Sequence, residues 1–168
     1  MATIQTKPHF RAFLDLIATC IGTSGSSVSR LEGYDLIGPG VAGFERNSDL
    51  SCHPFSTGRA PLRKQDPPSA IYTTAAGRYL IDLPLWRALA VRCNLHTFGP
   101  VNQDLAAMRL MEDFSVTKAL FDGELVDAIC EASAVWPGVP GSLFSRSTIT
   151  VEGAVEIYER LLADNTPE

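Results

Sequence analysis

Residues 76–104 read AGRYLIDLPLWRALAVRCNLHTFGPVNQD, and this stretch carries the clearest indication of the fold. Ala76-Gly-Arg-Tyr79 opens it, and Phe98-Gly-Pro-Val-Asn-Gln-Asp104 closes it. The apolar spacing over Thr74–Cys93 predicts one helix or two, with Pro84 marking a break or a first-turn position. Pro100 stands where a further helix would begin, because a first turn does not use the N–H that proline lacks. The stretch therefore predicts a helical region with one short motif before it and a second short motif at the start of the next helix.

Helical periodicity continues on both sides of this stretch. In Phe10–Ile21 the apolar residues fall at offsets of 0, 3, 4, 7, 8 and 11, which predicts an amphipathic helix. Another helix is predicted to open at Asp122 or Gly123 and to end before Trp136. Thr150 is predicted to cap a final helix. Inward-facing core positions are expected for Leu85, Trp86, Leu89 and Trp136.

The segment Gly33–Pro68 has a different composition. Ten of the 24 glycine and proline residues fall in these 36 positions, together with short β-like pieces such as Tyr34–Ile37. This predicts a small irregular lobe with a hairpin and a long loop. We therefore expect one α+β domain over residues 1–168, with a β lobe at about 30–70, a helical lobe at about 8–22 and 71–165, and a cleft between the lobes.

Composition and charge exclude several classes of protein. With 45% hydrophobic and 20% charged residues, the 168-residue chain is expected to be globular. Its net charge of -5 divides into +3 over residues 1–103 and -8 over 104–168. The one local basic cluster, Arg59, Arg63 and Lys64, is too small for a nucleic-acid footprint. No run approaches the roughly 20 apolar residues of a membrane span, and the N-terminus lacks a signal-peptide pattern, so no membrane partner is expected.

The cysteines indicate no metal centre. Cys20, Cys52, Cys93 and Cys130 form no CxxC pair, and no histidine stands at metal-ligand spacing. We therefore expect neither a metal nor a cofactor. Small buried thiols in a reducing compartment are the favoured interpretation. A single disulfide stays open as an alternative, because the sequence does not choose a pairing.

Read together, several segments resemble the lambda-type phage endolysins, lytic transglycosylases of the lysozyme fold that cleave peptidoglycan. They occur in the family's order from residue 11 to about 146. They are Arg11–Leu16 with Gly22-Thr23, Gly33–Ile37, His53-Pro54, Ala76–Tyr79 with Trp86, Phe98–Asp104, and Trp136 with Pro140-Gly141. The resemblance implies a lysozyme-like domain, mainly helical, with a small irregular β lobe.

The chemistry implied by the resemblance is where this chain departs from the family. The family places a catalytic glutamate directly before the Gly-Thr pair, and this chain has Ile21 there. That glutamate gives a proton to the glycosidic oxygen and later acts as a base, and isoleucine can do neither. Leu80 replaces the glutamine that usually follows Gly-Arg-Tyr, and Phe144-Ser-Arg146 stands where a Tyr-Gly-Gln element is typical. We therefore expect no catalytic residue of the family's kind.

A relocated acid is the alternative. Glu32 and Asp35 flank Gly33-Tyr34, and either carboxylate could face the cleft. The interpretation we favour is that both are solvated loop carboxylates, with Asp35 capping a turn.

Other polar and aromatic residues are candidates for a substrate groove. For three of them we favour a structural role: His53 bonded to loop backbone, Arg78 paired with a carboxylate across the lobes, and Gln103 hydrogen-bonded between elements. The full set of groove candidates is Tyr34, Asp35, His53, Arg78, Tyr79, Gln103 and Phe144.

The sequence therefore predicts a phage or prophage protein of endolysin type that has lost cleavage. Its predicted role is that of a virion component of the tail or baseplate, or of a peptidoglycan-binding module. The predicted partners are a glycan strand or phage structural proteins. We expect synthesis in the bacterial cytoplasm and a final site in the virion or cell wall. The alternative is an active muramidase or lytic transglycosylase that uses Glu32 or Asp35.

Overall fold

One helix, then short antiparallel strands and then several helices follow one another, which is the outline that the sequence pattern indicates. The computed structural model describes residues 1–2, 7–141, 143 and 146–166. The helices are α1 (Pro8–Cys20), α2 (Leu83–Cys93), α3 (Pro100–Asp113), α4 (Val116–Asp122), α5 (Leu125–Ala132) and α6 (Val151–Asn165). The strands are β1 (Leu36–Gly40), β2 (Gly43–Arg46), β3 (Leu62–Gln65) and β4 (Ile71–Thr73). The predicted α+β class is confirmed.

The strands form two antiparallel hairpins. Leu36 lies opposite Arg46 in the β1–β2 pair, and Arg63 lies opposite Tyr72 in the β3–β4 pair. Each hairpin has one irregularity in its register. The irregular, hairpin-containing segment predicted for Gly33–Pro68 is confirmed, and it extends to Thr73, where β4 ends.

The prediction of helix from Thr74 onwards was wrong for residues 74–82. Ala76 and Ile81 exchange backbone hydrogen bonds of 3.1 and 3.0 Å around a turn, and Ala76 also bridges to Ile37. These strand-like bonds use the backbone groups that a helix would need. α2 begins only at Leu83, after Asp82 has capped it by accepting from the Leu85 N–H at 2.9 Å. Pro84 therefore lies in a first turn, one of the two positions predicted for it.

Two other sequence predictions need correction at helix ends and faces. The helix predicted to open at Asp122 or Gly123 begins at Leu125, since Gly123 has a φ of +79° and caps the end of α4. Glycine adopts this left-handed conformation at little cost. Leu85 was expected to face inward and is 36% exposed, whereas Trp86, Leu89 and Trp136 are buried as predicted.

Contacts divide the chain into two compact units. The first unit is Met1–Gly22 with Ala107–Glu168, and the second unit is Thr23–Ala106. In the first unit the buried face of α1, including Phe13, Leu14 and Ile17, packs with α6. Residues 71–106, which we assigned to a helical lobe, group with the strands. The single domain and the cleft between lobes stay predictions.

The core of the second unit comes from strand, turn and helix residues together. Its fully buried side chains include Tyr34, Leu36, Ile37, Ala76, Arg78, Tyr79, Leu89, Phe98, Gln103 and Asp104. The two motifs that open and close residues 76–104 therefore both lie in one core. Among the described helices, none is long and apolar enough to cross a membrane.

Candidate functional site

The end of α1 is where the resemblance implies a catalytic acid. Ile21 caps the helix, and its backbone N–H donates to the Ile17 carbonyl at 3.0 Å. Its side chain is half-buried. A Cβ on Gly138 would lie 3.0 Å from Ile21 Cγ2 and 3.2 Å from the Cys20 carbonyl oxygen, so the 136–139 turn approaches the helix end closely. The position holds an apolar side chain that has no proton to give.

Asp15, the one acidic residue of α1, is committed elsewhere. It is buried, and its Oδ1 accepts from the Ala2 N–H at 2.6 Å. Its Oδ2 accepts from the Asn165 side-chain amide at 3.4 Å, which ties α1 to the end of α6. In the described structure Asp15 therefore links α1 by hydrogen bonds to the N-terminal residues and to the end of α6.

Asp35 is a loop-capping residue. Its carboxylate accepts from the Ser29 hydroxyl, from the Arg30 N–H at 3.0 Å and from the Leu31 N–H at 3.4 Å. The predicted turn-capping role agrees with these bonds. The expectation that Asp35 is solvated was wrong, because it is only 3% exposed. Its oxygens are occupied by the loop that they organise.

Glu32 combines an exposed side chain with a fixed backbone. Its φ of +55° lies in the left-handed region, and its carbonyl accepts a short hydrogen bond from the buried Arg78 guanidinium. The following Gly33 is packed so tightly that a Cβ there would lie 2.9 Å from the Thr23 carbonyl oxygen. The left-handed conformation costs a non-glycine residue such as Glu32 about 1–2 kcal/mol. The contacts of its carbonyl and of Gly33 therefore hold Glu32 in this conformation.

Gln103 links the two motifs that frame residues 76–104. Its Oε1 accepts from the Arg78 N–H at 2.8 Å, and its Nε2 donates to the Tyr34 carbonyl at 3.0 Å and the Phe98 carbonyl at 2.7 Å. A Cβ on Gly77 would lie only 2.2 Å from Oε1, so only glycine fits there. These bonds agree with the structural role predicted for Gln103, and they lie within the second unit.

Asp104 is a site residue that the sequence reasoning missed. Its Oδ1 accepts from the Tyr34 hydroxyl at 2.7 Å and from the Tyr79 hydroxyl at 2.6 Å. Burial, and next the charge of Asp104, raise the pKa of Tyr79 well above its usual value. The available signal was its place as the last residue of the Phe98–Asp104 motif.

His53 lies in an aromatic cluster of the second unit. Its Nε2 is 3.1 Å from the Ile81 carbonyl, which only accepts, so Nε2 carries the proton and donates it. Nδ1 accepts from the Phe55 N–H at 3.4 Å. The rings of Phe98 and Trp86 lie 4.7 and 6.3 Å away, and burial lowers the pKa of His53. This environment agrees with a loop histidine bonded to backbone.

The described cysteines and carboxylates do not converge on a metal site. All four cysteines are free, half-buried thiols, and burial raises the pKa of Cys20 to about 11. No group of three or more histidine, cysteine or acidic residues in the described ranges is placed to hold a metal ion. A surface pocket of about 240 Å³ between α4 and α5 is lined by carboxylates such as Asp122, Glu124 and Asp127.

The candidate groove residues lie in different places. Tyr34, Arg78, Tyr79 and Gln103 meet in one buried network with Asp104. Asp35 and His53 are buried outside that network, and Phe144 lies outside the described residues. Burial of 97% or more favours structural roles for the six described side chains. A role of any of them in a groove stays a prediction.

Comparison with known proteins defines the class. Residues 11–164 match the family model described as Endolysin. This chain therefore belongs to the endolysin family, and it is a member of the lambda type.

Individual relatives match over almost the whole chain. The endolysin of Escherichia phage P2 is 28% identical over 165 residues, which cover 94% of this chain and 95% of the relative. A structure of bacteriophage lambda lysozyme complexed with a chitohexasaccharide matches with a TM-score of 0.79 at 26% identity, covering 95% of this chain and 97% of that one. Another structure of lysozyme from bacteriophage lambda gives a TM-score of 0.72 at 25% identity, over 97% and 95% of the two chains. The lysozyme-like fold predicted from the sequence is confirmed.

Proposed function

We propose that this chain is a lambda-type endolysin homologue that binds peptidoglycan glycan strands without cleaving them. The observation that carries the proposal is Ile21 at the end of α1, where the resemblance implies the catalytic glutamate. Breaking a glycosidic bond requires a proton on the leaving oxygen. Losing general acid assistance alone lowers the rate by about 10²- to 10⁴-fold.

Retention of the fold supports a binding role. The hydrogen bonds of Gln103 and Asp104 leave the second unit with an intact polar core, although the implied acid is gone. A chain that had lost every function would not be under selection to keep these buried polar groups hydrogen-bonded. The related lambda lysozyme was solved with a chitohexasaccharide, so we carry over an N-acetylhexosamine polymer as the ligand class. The cell wall is then the proposed final site.

Two competing functions are distinguishable. A relocated acid is best represented by Glu32, whose carboxylate is exposed on a fixed backbone, because Asp35 is occupied by loop hydrogen bonds. A structural role in a phage tail or baseplate would also tolerate Ile21. Neither alternative has a contact that favours it over glycan binding.

Incubation with purified insoluble peptidoglycan tests the proposal. The protein is expected to pellet with the polymer, to leave its turbidity unchanged and to release no 1,6-anhydro products above a no-protein control. Clearing of the suspension would contradict loss of cleavage, and comparison of Glu32→Gln with Asp35→Asn would then identify the acid. Failure to pellet, with co-purification in phage particles, would favour the structural role.

Replacing Ile21 by glutamate tests the observation that carries the proposal. Ile21→Glu is expected to release 1,6-anhydro products at a rate at least about 10²-fold above wild type, since a general acid contributes about 10²- to 10⁴-fold in an otherwise competent site. Ile21→Gln is the matched control, because it adds polarity of similar size but no acid. Equal product release by the two variants would contradict the assignment of position 21.

A further inference from the structure

The backbone nitrogen of Ala2 lies at a buried point of the first unit. Ala2 is only 3% exposed, and its N–H donates to Asp15 Oδ1 at 2.6 Å. The side chain of Met1, one residue earlier, is more than half exposed. The chain therefore passes from solvent into the interior at the peptide bond that joins Met1 to Ala2.

The carboxylate that binds Ala2 also binds an amide whose oxygen lacks a donor. Asn165, at the end of α6, is 7% exposed, and its Nδ2 donates to Asp15 Oδ2 at 3.4 Å and to the Leu161 carbonyl at 2.8 Å. Its Oδ1 is buried and has no hydrogen-bond partner within the described residues. A buried acceptor without a donor costs free energy, and native proteins rarely leave one. The Ala2 amide has a single N–H, which Asp15 already accepts.

The short contact with Asp15 is made by an uncharged nitrogen. The Met1 ammonium nitrogen is 4.0 Å from Asp15 Oδ1, beyond hydrogen-bond distance, whereas the Ala2 amide nitrogen is at 2.6 Å. Hydrogen bonds between ionised groups are stronger than neutral ones, but a buried ion pair is favourable only if its other donors and acceptors are also satisfied. An ammonium on Ala2 meets both conditions, because it places the charge at the short distance and brings additional N–H donors.

We propose that the peptide bond between Met1 and Ala2 is hydrolysed, and that the Ala2 ammonium formed by this cleavage binds Asp15 and Asn165. A methionine aminopeptidase is the class of enzyme that cleaves such a bond, and Ala2 has the small side chain that these enzymes require. One water is consumed. Its hydroxyl joins the Met1 carbonyl carbon, the C–N bond breaks, and the two protons of the water pass to the Ala2 nitrogen, so that methionine leaves as a carboxylate.

The donors of the new ammonium match the acceptors at this site. One N–H keeps the bond to Asp15 Oδ1, and a second donates to Asn165 Oδ1. The third faces the space that Met1 leaves, which is open to water because the Met1 side chain is exposed. Cleavage therefore replaces a neutral bond by an ion pair that ties the amino terminus to α1 and α6. The inference is independent of whether the protein binds or cleaves a glycan.

The intact mass tests the hydrolysis itself. The full chain is produced in the cytoplasm of a bacterium with Met1 as the first translated residue and is purified without a tag. We expect most molecules to be lighter by one methionine residue. Retention of Met1 in most molecules would overturn the proposed cleavage.

Forms with different first residues test the ion pair. A cleavable N-terminal fusion, whose protease leaves no extra residue, gives one form that starts at Met1, one that starts at Ala2, and a Met1→Gly control that keeps residue 1 without its side chain. The form starting at Ala2 should have a Tm about 2–4 °C above the other two. In the Asp15→Asn background the three forms should unfold at one temperature, because the carboxylate is absent.

The reactivity of the amino group gives a measurement that does not depend on stability. Near pH 7 an acylating reagent prefers an α-amine, with an ordinary pKa of about 7.7–8.0, to lysine at about 10.4. The α-amine of the form starting at Ala2 should react about tenfold more slowly than that of the form starting at Met1, because a paired, buried ammonium keeps its proton. Asn165→Ala should make the Ala2 amine react about threefold faster, since one acceptor is lost. The neighbouring exposed Thr166→Ala is the control and should change nothing.

The measurements separate the parts of the proposal. Equal Tm values and equal acylation rates for the forms starting at Met1 and Ala2 would overturn the ion pair even if Met1 is removed in the cell. Equal acylation of Asn165→Ala and Thr166→Ala would overturn the bond to Asn165 Oδ1 and leave Asp15 as the partner. A Tm advantage that persists in Asp15→Asn would show that charge pairing is not its cause.

Discussion

Asp104 and Gln103 illustrate how single polar residues organise the second unit. Asp104 Oδ1 receives two tyrosine hydroxyls, at 2.7 Å from Tyr34 and 2.6 Å from Tyr79. A buried polar group that loses its hydrogen-bond partner costs about 1–3 kcal/mol. Substitutions of residues that contact Asp104 or Gln103 are therefore expected to be destabilising.

Gly77→Ala tests the close approach to Gln103. We expect the free energy of unfolding to fall by about 2–4 kcal/mol, because the new Cβ would lie 2.2 Å from Oε1 and the residue has a φ of +77°. A decrease in Tm of about 5–12 °C in calorimetry would correspond to this loss.

Gly22→Ala is the matched control for this measurement. Gly22 has the same φ of +77°, but a Cβ there meets nothing within 4 Å. The control therefore carries only the backbone cost, about 1 kcal/mol. Equal losses in the two variants would contradict the importance of the Gln103 contact.

His53 gives the protein a predictable dependence on pH. Burial lowers the pKa of His53 below its ordinary value of about 6.5, so the unfolded chain takes up a proton that the folded chain refuses. The contribution of His53 to stability is complete above about pH 6.5 and is lost as pH falls towards the folded pKa. When the pH is lowered from 7.5 to 5, the Tm of His53→Gln should therefore decrease less than the Tm of wild type. The difference corresponds to the uptake of about one proton on unfolding. The exposed His96→Gln control should retain the wild-type slope.

At the scale of elements, local sequence explains where most helices begin and end. Thr150 caps α6 by accepting from the Gly153 N–H at 3.1 Å, as its position predicted, and Pro100 is the first residue of α3. Local sequence wrongly predicted a helix for residues 74–82, because their backbone hydrogen bonds go to each other and to the region of Ile37. The periodicity of apolar residues shows their spacing along the chain, but it does not show which distant strand provides the hydrogen-bond partners of the backbone.

Thr150→Ala tests the cap of α6. We expect a loss of about 1 kcal/mol in the free energy of unfolding, because the first turn loses a side-chain acceptor for a backbone N–H. Tm should decrease by about 2–4 °C. Thr148→Ala, at an exposed position before the helix, should leave Tm unchanged; an equal decrease would show that the cap is not the cause.

At the scale of the whole molecule, the chain relies on packing and hydrogen bonds rather than on covalent cross-links. Each unit has its own buried side chains, and all four cysteines are free thiols. A chain of 168 residues buries enough surface to fold without disulfides. The charge is distributed unevenly along the chain, from +3 over residues 1–103 to -8 over 104–168.

Thiol titration tests the absence of cross-links. Four thiols should react after unfolding without reductant, and Tm should be the same with and without reductant, because no cystine contributes to stability. In the native protein Cys20 should react slowly, since burial raises its pKa to about 11 and the thiolate is the reactive form. Fewer than four reactive thiols would contradict this arrangement.

The sequence by itself determined the α+β class, the amphipathic α1, the start of α3 and the cap of α6, because these features depend on residue type and spacing along the chain. Only the tertiary structure decided that Asp35 is buried in its loop, that Asp104 joins Tyr34 to Tyr79, and that residues 74–82 form no helix. The outcomes at Asp104 and at residues 74–82 depend on backbone or side-chain partners far along the chain, as many as 70 residues apart, which local spacing does not specify. The burial of Asp35 depends on the conformation of the loop whose N–H groups it accepts from.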